Sequence, residues 1–184
     1  MNFSVLCAII LLKSKLKGSA ILEDKTNVMR LLDKKKIKYK LYNLYDMGFT
    51  LEEISKKTSL DMSNLLNVPS NKIFKTLVTV GKSNNNYVFV IPADSELDLK
   101  KSAKVVKEKS ISMVKSKELL SLTGYIHGGC SPIGMKKFFT TTFNETAQQL
   151  DTIVFSSGKI GLLVEVSVED IQKVIKFTFA DVVL

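Results

Sequence analysis

Ile73-Phe74-Lys75-Thr76-Leu77-Val78-Thr79-Val80, then Gly81 to Asn86, then Tyr87-Val88-Phe89-Val90-Ile91, is the stretch on which the fold turns. Both flanking runs are dense in β-branched and aromatic residues, and the polar segment between them reads as a hairpin loop. One residue is out of place. Lys75 puts a cation between Phe74 and Leu77 in a strand expected to be central. Such a lysine either snorkels to solvent or is held in a cleft, where it can meet a phosphate or carboxylate.

Upstream, Thr26 opens a short helix with Val28, Leu31 and Leu32 on one side. Ile37 to Leu41 alternates as a half-buried strand, and Leu51 to Ile54 and Met62 to Leu66 read as two short helical pieces ending before Pro69. Downstream, Asp98 caps a helix carrying Leu99, Ala103 and Val106. Ser116 to Leu122 is a further helix stopped at Gly124. Phe138 to Phe143 and Thr152 to Phe155 read as strands, and Ser156 to Gly161 as a tight turn into Leu162 to Val166. Ser167 with Asp170 forms a capping-box pattern opening a last helix to about Lys176. Strands interleaved with short helices predict a mixed α/β (α+β) domain around one curled, partly barrel-like sheet with flanking helices.

The densest turn chemistry lies in Gly124 to Gly134, which holds four of the nine glycines and one of three prolines. Glycines this close let a ligand approach the backbone, and Pro132 stiffens the turn. The stretch reads either as a loop presenting backbone N–H groups or as a long turn between core elements. His127 and Cys130 have a ligand-like spacing, but a zinc site needs four positions and no partner cluster exists. A Cys–His nucleophilic pair is disfavoured, because residues three apart in a glycine-rich loop need not face each other.

The chain has 184 residues, a net charge of +9 and two cysteines. That length supports one domain with a sizeable core, and two cysteines give no disulfide framework. Residues 100 to 117 carry seven lysines against Glu108. The run suits a polyanion such as nucleic acid, or is a solvated lysine-rich helix face. At the N-terminus, the apolar run Val5 to Leu12 is too short to span a bilayer, and its lysines follow it instead of preceding it. Residues 1–24 are therefore expected to be a leader and linker outside the functional domain, which spans 25–184.

Four motifs in order carry a specific likeness: Phe74-Lys75-Thr76-Leu77; Glu96 to Lys101; Gly124-Tyr125 with Gly128-Gly129-Cys130-Ser131-Pro132 and Gly134; and Ser156, Gly158, Lys159 and Gly161. Together they resemble the YbaK/EbsC family, above all its bacterial Cys-tRNA(Pro) deacylases, from about Lys25 to the C-terminus. The resemblance implies a compact mixed α/β domain with a cleft, working in the cytoplasm without stable membrane association. It also implies the editing of mischarged tRNA in trans, since a synthetase pocket discriminates poorly between near-isosteres. Partners implied are Cys-tRNA(Pro) and prolyl-tRNA synthetase, and no metal or cofactor is implied.

Carried over by residue, Lys75 would be the essential cation of the cleft, and Thr76 would hydrogen-bond substrate. Gly128 and Gly129 would offer N–H groups to the aminoacyl carbonyl. Ser131, Pro132 and Gly134 would hold the loop's shape, while Ser156 and Gly158 would line the opposite wall. Lys100, Lys101 and Lys104 would meet tRNA. In Cys-specific members the substrate thiol attacks its own ester, so no protein nucleophile is needed. Two positions depart from the pattern. Leu44, with Tyr45 beside it, stands where some members place a tyrosine, and Leu163 stands where some relatives carry an aspartate. Both bear on which amino acid is cleared.

Overall fold

A computed structural model describes residues 25–184; the expectation for residues 1–24 lies outside the described residues. The hairpin is as expected. Strand β2 (Phe74–Gly81) pairs antiparallel with β3 (Asn86–Pro92) along its length. It forms the centre of a five-stranded sheet in which β4 (Ile111–Met113) flanks β2, and β5 (Thr140–Asn144) then β8 (Thr178–Ala180) run parallel beyond β3. A second, three-stranded antiparallel sheet has the order β1 (Tyr39–Asn43), β7 (Leu162–Ser167), β6 (Thr152–Lys159). One parallel bridge, Ile73 to Val154, joins the two. The architecture is mixed α/β, as expected, but the sheets do not close into a barrel.

Pleating divides the hydrophobic residues among three clusters. Phe74, Val78, Val88, Val90, Phe143 and Phe155 share the main core with helix α1 (Asn27–Lys34), which contributes Val28, Met29 and Leu32. Phe177 and Phe179 extend it, with ring centroids 4.1 and 6.4 Å from Phe143. Ile73 and Val154, on the other side of the seam, pack with Tyr42, Leu44 and Ile54 beneath helices α2 (Leu51–Ser55) and α3 (Ser59–Leu66). Both short helices are held by capping boxes, Thr50 with Glu53 and Thr58 with Asp61, which satisfy N-terminal donors that such brief helices could not otherwise spare. Tyr87, Phe89 and Ile91 face Ala103 of α4 (Leu99–Val105). Asp98 caps α4 as expected, accepting from the N–H groups of Lys100 and Lys101 at 2.8 and 3.0 Å.

Several boundaries moved. Lys36 adopts a left-handed conformation, and Ile37 N–H closes back on Leu32 O at 3.0 Å. The first strand therefore starts only at Tyr39 and reverses its faces: Tyr42 is buried, whereas Leu41 is exposed. Helix α5 (Ser116–Thr123) ends at Gly124 with φ +86, as expected, but the strand after the glycine loop begins at Thr140 and leaves Phe138 outside it. Ser167 makes no side-chain cap, and the last helix, α6 (Val168–Ile171), is a single turn. Val168 N–H is taken by Asp151 O at 3.1 Å. Of the expected tight turn at Ser156 to Gly161, only Ile160 and Gly161 turn into β7; Ser156 to Lys159 are the end of β6, with an irregular register.

Candidate functional site at the seam between the sheets

Lys75 stands two residues past the Ile73–Val154 bridge, where the sheets begin to part. Ser156 lies the same two residues past Val154 on β6. Lys75 Nζ donates to the carbonyl of Ala93 at 3.0 Å, and no carboxylate lies within ion-pair distance of it among the described residues. The side chain is half-buried. A cation held this way keeps most of its charge available to an incoming anion. Ser156 pairs across to Leu163 of β7, which in turn opposes Tyr42, so the three share one row; the Tyr42 hydroxyl is spent on Glu165 at 2.7 Å.

The glycine loop lies across the end of β6. A methyl added at Gly129 would fall 3.2 Å from the backbone nitrogen of Ile160, so a side chain there would require the end of β6 to give by a few tenths of an ångström. Tyr125 clamps the loop from within: its hydroxyl donates to Ile133 O at 2.6 Å, and Asn27 Nδ2 donates to Gly134 O at 3.0 Å. Burial pushes the Tyr125 phenol up to about 12, so it remains a donor throughout the accessible pH range. Ser131 and Pro132 are buried beneath the loop, and Ser131 Oγ accepts from Ile133 N–H at 3.4 Å. These residues shape the loop.

The expected site residues do not all converge. The N–H of Gly129 is already donated to Ile126 O at 3.0 Å, closing a tight turn. Gly128, exposed and at φ +79, keeps a free N–H among the described residues. Thr76 follows Lys75 in the strand and so points to the opposite face, among the main core residues. Its Oγ1 is buried without a hydrogen-bond partner among the described residues, as is the Oγ of Ser157. Nothing in the sequence singled out Ser157. Ser156 Oγ accepts from Gly158 N–H at 3.2 Å, which holds the irregular end of β6. Lys100 and Lys104 are exposed, but Lys101 is occupied: its Nζ binds Asp181 at 2.7 Å and Val183 O at 2.8 Å, clasping the C-terminal segment. Of the two departing positions, Leu44 is a core residue, whereas Leu163 lies in the wall beside Ser156.

Burial raises the Cys130 thiol to about 12, and His127 is exposed with no hydrogen-bond partner among the described residues. No Cys–His pair is formed. At a given pH the Cys130 thiolate should be ~1000-fold scarcer than in an ordinary cysteine. Iodoacetamide at pH 8 is therefore expected to leave the Cys130 peptide unmodified in the folded protein and to label it after denaturation, as read by mass spectrometry. Thr76→Val should raise the melting temperature by a few degrees, because it removes a buried hydroxyl that costs ~1–3 kcal/mol unpaired and keeps the β-branched shape. A calorimetric scan tests this.

The family model described as "Aminoacyl-tRNA editing domain" matches residues 54–174. The chain is 41% identical over 160 residues to the Enterococcus faecalis protein named "Putative Cys-tRNA(Pro)/Cys-tRNA(Cys) deacylase EbsC", covering 87% of this chain and 94% of that protein. This chain belongs to the aminoacyl-tRNA editing domain family. A shorter match, 31% identical over 80 residues, covers 44% of this chain and 14% of a proline–tRNA ligase from Fervidobacterium nodosum. Among solved structures, one described as "a putative trans-editing enzyme for prolyl tRNA synthetase" superposes with a TM-score of 0.71 at 19% identity, covering 86% of this chain and 95% of that one. This last likeness concerns the fold.

Proposed function

We propose that this chain is a freestanding deacylase that edits mischarged tRNA in trans, clearing cysteine from Cys-tRNA(Pro). The observation that carries this reading is Lys75: a half-buried ammonium at the seam of the sheets, bonded among the described residues only to a backbone carbonyl. There it would hold the terminal phosphate or ester oxygen of the substrate. The free N–H of Gly128 would receive the aminoacyl carbonyl oxygen as negative charge develops on it, and Gly129 would keep that N–H in place through its own turn. Leu163 and Ser156 would contact the amino-acid side chain.

Cleavage by the substrate's own thiol accords with a site whose nearest cysteine is held as a thiol and whose histidine stands unpaired. The substrate sulfur gives up its proton, forms a C–S bond to its own carbonyl carbon and expels the ribose oxygen, which takes up a proton. The products are a thiolactone and free tRNA. Holding the ester and thiol in one reactive conformer is the protein's main contribution. The match to part of a proline–tRNA ligase supports prolyl-tRNA synthetase as a partner. Among the described residues no helix is long and apolar enough to cross a membrane, and the cytoplasm is where charged tRNA would be met.

The test is deacylation of Cys-tRNA(Pro), Ala-tRNA(Pro) and Pro-tRNA(Pro). Loss of Cys with Pro spared supports the reading, and a thiolactone product supports the route. Clearance of Ala would reassign the specificity to an apolar wall built on Leu163. With Cys130→Ala, activity should stay within about threefold of the parent, because the thiol serves as a small loop residue; a larger loss would place a nucleophile on the protein after all.

A further inference from the structure

Phe138 is 100% exposed, while the next residue, Phe139, packs against the main core. A single exposed apolar side chain is ordinary on a protein surface, but a fully solvated aromatic ring set between lysines and a buried phenylalanine has the composition of a base-stacking surface. The residues around it are cationic. Lys137 is exposed, and Lys136 rests its stem over Gly124 with Nζ 3.4 Å from Leu120 O. Lys115 and Lys117 are exposed at the start of α5. Glu118 is the acid in the first turn of the same helix. It shares with Lys137 an open depression of about 380 Å³, whose walls are Val80, Val114 and Leu122 and whose rim carries Asn84, Asn86 and Ser121.

The position relative to the seam matters. Lys75 opposes Ile91, whereas Val80 opposes Asn86 at the other end of the hairpin, and β5 begins at Thr140 opposite Tyr87. Phe138 therefore belongs to the end of the sheet roughly 17 Å along β2 from Lys75, at ~3.3 Å per residue. At the ~3.4 Å rise of stacked nucleotides that is at most about five steps, and fewer for the unstacked, more extended strand of a single-stranded 3′ end.

We propose that Phe138, flanked by Lys136 and Lys137, is a stacking platform for an unpaired base of the substrate's single-stranded 3′ end, a few nucleotides before the acylated adenosine. An aromatic face accepts any base, and the adjacent ammoniums neutralise the phosphates on either side of it. The depression beside Lys137 offers an apolar floor and amide edges to a neighbouring base. The assignment rests on the tRNA-editing reading, because it takes the nucleic acid from that substrate. It departs from the lysine run at 100 to 117 as the principal contact, since it places the aromatic contact after the glycine loop.

The chain contains no tryptophan, so F138W introduces a single indole reporter. Its fluorescence should be quenched saturably by an uncharged acceptor-stem minihelix ending in the unpaired 3′ tetranucleotide, and not by the same duplex cut blunt. F138A should weaken minihelix binding roughly 5- to 100-fold, the range expected for one base–aromatic stack. F138W and F138Y should restore it. With acylated tRNA, F138A should raise KM and leave kcat unchanged. Because the titration uses uncharged RNA, it is read independently of turnover: absent deacylation with Phe138-dependent RNA binding overturns the editing reading alone. Equal quenching by the blunt duplex, an unchanged Kd for F138A, or an indole response only to anionic phospholipid vesicles overturns the platform.

Discussion

Lys75→Ala is expected to lower kcat/KM for Cys-tRNA(Pro) by ~100-fold or more while leaving the melting temperature nearly unchanged. The two halves of this prediction have one source. The ammonium spends a single hydrogen bond on the carbonyl of Ala93, and no carboxylate neutralises it among the described residues. Its removal costs the folded protein little, since that half-buried carbonyl can turn to water. Under the proposed function the same charge would meet the substrate's anion, where one electrostatic contact to developing charge is commonly worth ~10²–10³ in rate. Lys75→Arg keeps the charge but replaces a compact ammonium with a planar fork, and should recover only part of the loss. Steady-state deacylation paired with thermal melting reads both quantities. Activity within threefold of the parent would remove the chemistry from the seam.

Gly158→Ala should be among the most damaging single-methyl changes in the described structure. Gly158 sits at φ +97, and a Cβ there would lie 2.7 Å from ring Cε1 of Tyr125. The left-handed backbone alone costs a non-glycine residue on the order of 1–3 kcal/mol. The contact adds to this because the Tyr125 ring cannot retreat: its hydroxyl is fixed to Ile133 O at 2.6 Å, and the ring is buried in the main core. A loss of at least ~2 kcal/mol corresponds to a fall in melting temperature of ~4–8 °C for a chain of this size. Activity should fall further than the population of folded protein does, because Tyr125 clamps the loop that carries Gly128. Tyr125→Phe separates the two contributions: it keeps the ring against Gly158, loses the hydroxyl bond, and leaves the Ile133 carbonyl buried. Urea melts and kcat on the same preparations check both variants. If Gly158→Ala melts like the parent, the close packing of β6 on Tyr125 is not as described.

The parts of the fold legible in advance were those decided by neighbours in sequence. The β2–β3 hairpin follows from two β-branched and aromatic runs around a polar loop. The Asp98 cap and the Gly124 stop follow from side chains acting on the nearest helix turn. Lys75 and the glycine loop were picked out by composition, because a cation in an apolar strand and a cluster of glycines are both anomalies. What escaped were short elements that exist only through a partner. Ile111–Met113 forms a strand in a lysine-rich stretch because the edge of β2 needs hydrogen bonds, and Thr178–Ala180 does the same for β5. Strand β1 shifted because one left-handed lysine reset its start.

At the site, the sequence by itself determined which groups were present, and it set Lys75 and Thr76 together on the substrate although alternation along β2 turns them to opposite faces. Only the tertiary structure decided which of those groups remain free. The Gly129 N–H is used within its own turn, Lys101 is engaged by a residue 80 positions away, and Gly128 and Lys75 keep their capacity. The reason is physical: local pattern is set by steric preferences of adjacent residues, whereas hydrogen bonds and charges are satisfied by whatever the folded chain brings within about 3 Å.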